Sequence, residues 1–416
     1  MHIDLHHSSI LARAACIAAA LALPGVVAAQ QPVTRDAAVE SALTHGAAVA
    51  VARATAMSAR AQLRTARAYP NPAVTASYSK DVPQYHAALD IPLELPWLRG
   101  ARVGAAVAAD TSAQYTFAFA RASVRYDVDT AYTNALASAA HARLSRRNAQ
   151  DADSLLRMAT TRRDAGDASE LDVQLATVNA GQLANIAAAD SLDAIGDLLV
   201  LQRLMGLAAD TVTIALADSL MPPTITDPPR DSGDPASPDA PTLQVAAASA
   251  ALRSAEQNLA LERHNVWSTP SIQVGFDAHD PSGAETGLLP TVGLSLPLPL
   301  FNRNGGPVDA AAAERDRARA ELTLAKQESD ASIAQALRER AVALRKTTRD
   351  EELLASAQRV AAMSLEAYRE GAIPLASVLE AERNARDVQA QYIDDVAAAN
   401  SAHAAVQLFT LTTGRP

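Results

Sequence analysis

Tyr69-Pro70-Asn71-Pro72-Ala73-Val74 and Trp267-Ser268-Thr269-Pro270-Ser271-Ile272 stand about 200 residues apart and play the same part in the chain. Each ends a helix-forming stretch with proline and opens a segment in which apolar and polar residues alternate. A second alternating segment follows each, ending in Asp90-Ile91-Pro92-Leu93 in one case and Ser295-Leu296-Pro297-Leu298 in the other. Gly100 and Gly305 then precede a long helical pattern that stops at Gly166 and Gly371. Both pairs of glycines are 66 residues apart. Agreement at this many landmarks identifies a duplication. The first structural repeat is expected over 30–220 and the second over 241–416, with a Pro/Asp-rich linker at 221–240 that carries Met221-Pro222-Pro223 and Ser232-Gly233-Asp234-Pro235.

Working outward, the helices differ in length but sum alike. Ala101–Arg163 and Val308–Glu370 contain no proline and predict single helices of about 63 residues, or about 95 Å. The flanking stretches, 34–68 with 170–205 and 241–266 with 376–411, are about half as long, so two stacked end to end match one long partner. Helices of this length point to coiled-coil pairing. Ile333, Leu337, Ala341 and Leu344 are expected to form such a seam, with Arg338, Glu339, Arg340 and Arg345 turned outward. Much of the 49% hydrophobic content is alanine and aromatics are only 4%, which suits closely packed helices better than a thick core.

The four alternating segments have one apolar and one polar face. Val74, Ala76 and Tyr78 line the first; Leu89, Ile91, Leu93 and Leu95 the second; Ile272, Val274, Phe276 and Ala278 the third; Val292, Leu294, Leu296 and Leu298 the fourth. Asp90, Glu94 and Asp277 fall on the polar side. Each segment approaches the 9–11 residues of a tilted transmembrane strand. Tyr69, Trp97, Trp267 and Phe301 sit at the strand–helix junctions, where membrane-interface aromatics belong. A soluble four-stranded sheet packed on the helices is the other reading. Four strands cannot close a barrel and open edges cannot sit in lipid, so membrane insertion requires an oligomer: a dimer supplies eight strands and a trimer twelve.

Residues 1–29 read as a signal peptide: a weakly basic start with His2, His6, His7 and Arg13, an apolar run Ala14–Leu23, and small residues Val27-Ala28-Ala29 before Gln30. Cys16, the one cysteine of the 416 residues, lies inside it, so the exported chain has no thiol chemistry. Asp4 and Arg13 cancel, which leaves the net charge of −10 on the exported chain and excludes nucleic acid as a partner.

These residues resemble the TolC-like outer membrane efflux family, in its heavy-metal-efflux (CzcC-like) branch. The resemblance rests on Tyr69-Pro70-Asn71-Pro72, on Leu296-Pro297-Leu298-Pro299-Leu300-Phe301-Asn302-Arg303 with Gly305 and Gly306, and on the hairpin ends Gly166-Asp167-Ala168-Ser169-Glu170-Leu171-Asp172-Val173 and Tyr368-Arg369-Glu370-Gly371. It implies a mostly α-helical fold of long coiled-coil hairpins, with four strands per chain in a twelve-stranded transmembrane β-barrel of a homotrimer. It further implies residence in the outer membrane lipid with a large periplasmic portion, a periplasmic adaptor (membrane fusion) protein, an inner-membrane pump of the resistance–nodulation–division (RND) type, and passage of metal ions or small toxic compounds. Carried over by position, the adaptor-contact tips are Gly166, Ala168, Ser169, Leu171, Asp172 and Val173, with Gly371, Ile373, Leu375, Val378 and Leu379. Asp164, Asp167, Asp172, Arg369 and Glu370 are the candidate periplasmic gate. Solvated helix ends that satisfy the helix dipoles are the other reading of those charges.

No chemistry of catalysis is legible. The histidines are scattered without helical metal-ligand spacing, and Ser77-Tyr78-Ser79-Lys80 lacks the companion motifs of an S-x-x-K enzyme. No cofactor, metal site or enzymatic activity is expected. A duct for type I protein secretion, and a periplasmic coiled-coil protein without a barrel, are the alternative functions.

Overall fold

The computed structural model describes residues 31–225, 240–266, 269–278, 287–296, 298–299 and 301–413. The expected signal segment, Trp267 and most of the linker lie outside the described residues.

A short strand β1 (Gln31–Val33) leads into helices α1 (Arg35–His45) and α2 (Ala47–Arg67), a hairpin β2 (Ala73–Tyr78) and β3 (Tyr85–Pro92), the long helix α3 (Pro96–Ala165), α4 (Glu170–Leu204) and a short strand β4 (Ile214–Leu216). The second half repeats the order with α5 (Leu243–His264), the hairpin β5 (Ser271–Ala278) and β6 (Leu289–Ser295), α6 (Gly305–Arg369) and α7 (Leu375–Phe409). α3 has 70 residues and α6 has 65, so each is about 100 Å long.

α3 packs on α2 and α4 in its own half and on α5 and α7 in the other; α6 packs on α5 and α7. The half-length helices meet end to end at mid-height. Ser41 Oγ of α1 donates to Met205 O at 3.0 Å at the end of α4, and Leu243 N–H of α5 donates to Leu411 O at 3.2 Å beyond α7. The largest apolar cluster lies at the first of these junctions, with Val39, Val49, Val128, Tyr132, Leu201 and Ile214 among its members. The Tyr132 hydroxyl is 2.8 Å from both Val33 O and Asp218 Oδ2, and burial together with Asp218 pushes its pKa up to about 12. β1 pairs in parallel with β4 beside it. Three-residue strands carry too little periodicity to be read from sequence.

The remaining strands form one antiparallel sheet in the order β2-β3-β5-β6, so β3 and β5 join the two halves. The register places Val74, Leu89, Val274 and Val292 in one cross-strand row, and Ile91, Ile272 and Leu294 in another on the same face. Ser77, His86 and Asp277 make a row on the opposite face, where His86 Nδ1 lies 2.8 Å from Asp277 Oδ1. Among the described residues no helix packs extensively across either face. Val74 is 76% exposed and Val292 80%. The described residues thus show the sheet without the cover of helices that the other reading of the sequence expects.

Four details depart from the sequence reading. The 34–68 stretch is two helices broken at Gly46, where a Cβ would meet Ala42 O at 2.3 Å and where the chain turns past the end of α4. The first long helix starts at Pro96, ahead of Gly100, because proline fixes a helical φ at a first-turn position. β3 is displaced toward its turn and ends at Pro92, and β6 ends at Ser295, so Leu93, Leu95, Leu296 and Leu298 lie beyond the strands. Glu94 consequently leaves the polar face; it is buried at the junction, paired with Arg102 and, at 3.6 Å, with Arg99.

The fourth concerns the coiled-coil seam. α6 buries Ser329, Ala336, Ala343 and Asp350 at strict seven-residue intervals, with Thr347 between, whereas Leu337 is 41% exposed and Ala341 is exposed. Small side chains let the helix axes approach closely, and that gain in backbone and Cβ contact outweighs burial of the larger aliphatics within one chain.

Candidate functional site at the hairpin tips

Both helical hairpins turn at a glycine in the left-handed region, Gly166 at φ 87° and Gly371 at φ 78°. The turns satisfy the last carbonyls of the long helices in the same way. Gly166 N–H donates to Arg163 O (2.9 Å) and Asp167 N–H to Arg162 O (2.8 Å); Gly371 N–H donates to Tyr368 O (3.0 Å) and Ala372 N–H to Ala367 O (2.8 Å). A side chain at either glycine would be strained in that conformation.

The chain re-enters helix differently at each tip. Before α4, Ser169 Oγ accepts from Asp172 N–H at 3.2 Å while Asp172 Oδ2 accepts from Ser169 N–H at 3.1 Å, a reciprocal capping box. Before α7, Pro374 occupies the cap and offers no side-chain bond.

Leu155, Ala159, Val173 and Ala176 of the first hairpin pack on Tyr368, Leu375 and Val378 of the second, with Ile373 and Leu379 half-buried beside them. Val173, Leu375 and Val378 thus lie inside the paired tips of this chain. Gly166, Ser169, Leu171 and Gly371 face outward, with Leu171 66% exposed; Ala168 and Asp172 are half-buried.

The gate candidates are not gathered into one network within the chain. Arg163 bridges Asp164 (2.8 Å) and Glu170 (3.2 Å) at the first tip. Hydrogen bonds from Gln174 and Arg163 hold the Glu170 carboxyl below its ordinary pKa. Arg369 turns back to Glu366 at 3.2 Å, and Asp172 is engaged in the cap. Asp167 and Glu370 are exposed and form no ion pair among the described residues.

Arg162 and Tyr368 connect the tips. The Arg162 guanidinium lies over the Tyr368 ring at 4.7 Å and donates through Nη1 to Tyr368 O at 2.6 Å. Burial raises the Tyr368 pKa, with Arg162 pulling it down and Asp172 pushing it up. Tyr368 was not legible as an anchor. The one sequence signal is an aromatic three residues before the turn glycine in a chain with only 8 tyrosines.

At the far end of the helices Tyr69, Trp97 and Phe301 are exposed, and Arg99 lies over the Tyr69 ring at 4.5 Å. At the opposite rim of the sheet, the Tyr78 and Tyr85 rings meet at 5.5 Å, tilted 50° to each other. No described helix is long and apolar enough to cross a membrane, and no described group of three or more His, Cys, Asp or Glu side chains could hold a metal ion.

The fold is shared with solved structures of low sequence identity. A membrane protein from Pseudomonas aeruginosa matches with a TM-score of 0.76 at 19% identity, over 90% of this chain and 93% of that one. The outer membrane protein VceC from Vibrio cholerae matches with a TM-score of 0.73 at 16% identity, over 91% and 96%. The CmeC outer membrane channel of Campylobacter jejuni matches with a TM-score of 0.76 at 14% identity, over 90% and 85%. No curated protein matches the sequence. The sequence model of the outer membrane efflux protein family matches residues 38–206 and 240–413, most of the chain in both halves. The chain therefore belongs to the outer membrane efflux protein family.

Proposed function

We propose that this protein is the outer-membrane exit duct of a tripartite efflux system, carrying metal ions or small toxic compounds from the periplasm to the exterior without catalysing a reaction. The observation that carries this reading is the uncovered four-stranded sheet. It has an apolar face, a polar face and two unpaired edge strands, β2 and β6, and it stands on helices about 100 Å long. An edge in lipid leaves backbone groups unpaired, so the edge strands pair with those of neighbouring copies. Three copies give a twelve-stranded barrel with the polar face lining the lumen and Tyr69, Trp97 and Phe301 at the periplasmic interface.

The helices support the same assembly. Leu175, Val178, Ile186 and Leu192 form an exposed stripe along α4, and Leu353, Val360 and Met363 form one along α6. α4 and α6 flank the helix array on opposite sides, so each stripe is covered by the next copy in a closed ring. Export follows cleavage of residues 1–29. The outward tip residues Gly166, Ser169, Leu171 and Gly371 meet the periplasmic adaptor. Asp164, Asp167 and Glu370, repeated by symmetry, form the acidic periplasmic entrance that favours cations. An RND pump completes the system.

The test is fractionation of cells expressing the full chain, with cross-linking and unheated gel mobility of the outer-membrane fraction. A cross-linked trimer is the expected outcome. Recovery as a soluble periplasmic monomer removes the barrel, and a dimer replaces twelve strands with eight.

A further inference from the structure

The four helices that reach the tips stand in the order α4, α3, α7, α6, since α3 packs on α4 and α7, and α6 packs on α7. α4 and α6 are therefore the two edges of the array. Between adjacent helices charges are paired, His141 with Asp394 at 2.8 Å and Lys346 with Asp395 at 3.2 Å. At the edges they are not. Asp190, Asp193 and Asp197 of α4, and Arg338, Arg345 and Arg349 of α6, form no ion pair and no side-chain hydrogen bond among the described residues.

Each set is segregated by sign. From Glu170 to Gln202, α4 contains no lysine or arginine, so its aspartates have no cation along their own helix. By helical period they continue the face of the exposed Leu175 and Ile186. On α6 the three arginines continue the face of the exposed Val342, Leu353 and Met363. Like charges stacked along one helix face destabilise it. Each stripe lacks what the other carries.

The two faces also agree in height. The tips pack together, so height counts from the turn glycines. Leu175 and Ile186 lie 9 and 20 residues from Gly166, and Met363 and Leu353 lie 8 and 18 residues from Gly371. Farther from the tips, Asp190, Asp193 and Asp197 stand at 24, 27 and 31, against Arg349, Arg345 and Arg338 at 22, 26 and 33. Every mismatch is two residues or fewer, about 3 Å of helix rise.

We propose that α4 of one copy packs antiparallel on α6 of the next at this register, with an apolar zone toward the tips. Above that zone, Asp190, Asp193 and Asp197 clasp Arg349, Arg345 and Arg338. This rests on the closed ring of copies proposed above and adds what aligns them. Apolar stripes alone can slide past one another. With the charges present, a slip of two turns sets Ile186 against Arg345 and separates the opposite charges, so complementarity fixes the register. Ion pairs that keep contact with water weaken as salt rises.

Two experiments on the full-length protein in detergent test it. In a Cys16→Ser background, Leu175→Cys with Met363→Cys is expected to form an intermolecular disulfide. Leu175→Cys with Leu353→Cys, nine residues out of step, is expected to form none. The reverse pattern, or no link in either pair within a trimer, overturns the register. Asp193→Arg and Arg345→Asp, each alone, are expected to lower the trimer-to-monomer ratio about tenfold at low salt, and the double variant to restore it. Single variants without effect, or a double variant no better than the singles, overturn the clasp while the wild-type trimer stands. A monomeric wild type overturns the ring itself and this proposal with it. Should a reversed variant not fold, the disulfide pattern, which leaves the charges in place, decides.

Discussion

The two hairpin tips share a backbone and differ in what their side chains do. Each ends a long helix with a left-handed glycine and the same pair of returning hydrogen bonds. The first tip then caps α4 with Ser169 and Asp172 and turns Leu171 outward, 66% exposed. The second enters α7 through Pro374 and turns the next residue, Leu375, fully inward at 0% exposure. A glycine turn sets where a hairpin bends, whereas one shift of apolar phase after it sets whether the tip presents a surface or anchors a neighbour. The first tip is the presenting one and the second is the anchor.

Exchanging those roles should fail unequally. Leu375→Ala is expected to cost about 2–5 kcal/mol of local stability, the range for truncating a buried leucine, while Leu171→Ala costs less than about 0.5 kcal/mol. Hydrogen exchange of the tip amides would read both, and equal effects would erase the distinction between anchor and surface. Arg162→Lys keeps the charge but loses the planar stack on Tyr368 and the geometry of its bond to the Tyr368 carbonyl. About 1–2 kcal/mol of coupling between the hairpins should disappear, measured as loss of protection in both tips together. If only the first tip loosens, Arg162 does not join them. The smallest effect is at the caps. Ser169→Ala should destabilise the start of α4 by about 1 kcal/mol, and Pro374→Ser should stabilise α7 slightly by adding a missing side-chain acceptor. Loss of α7 protection in Pro374→Ser would show that proline's fixed φ matters more there than a cap.

What could be read beforehand had a physical basis in punctuation and period. Proline and glycine marked the ends of α3, α4, α6 and α7 to within a few residues, since few other residues tolerate those conformations. Alternation separated the row of Val74, Leu89, Val274 and Val292 from that of Ser77, His86 and Asp277, because successive strand residues point to opposite faces. The α6 seam was misplaced because hydrophobicity identifies which residues are to be covered but not by which partner. Leu337 was expected in the hairpin seam, where Ala336 and Ala343 pack instead. Arg162 and Tyr368 lie 206 positions apart, and no local pattern joins them.

The sequence by itself determined the two long helices, the glycine turns and the two-faced strands, all set by dihedral preference and by periods of a few residues. Tertiary structure alone decided that β3 pairs with β5 across the halves, that small residues form the seams, and that Tyr368 and Leu375 tie one tip to the other. Those outcomes depend on which surfaces meet at what distance, and side-chain volume across a helix pair is a property of both partners rather than of either stretch of chain.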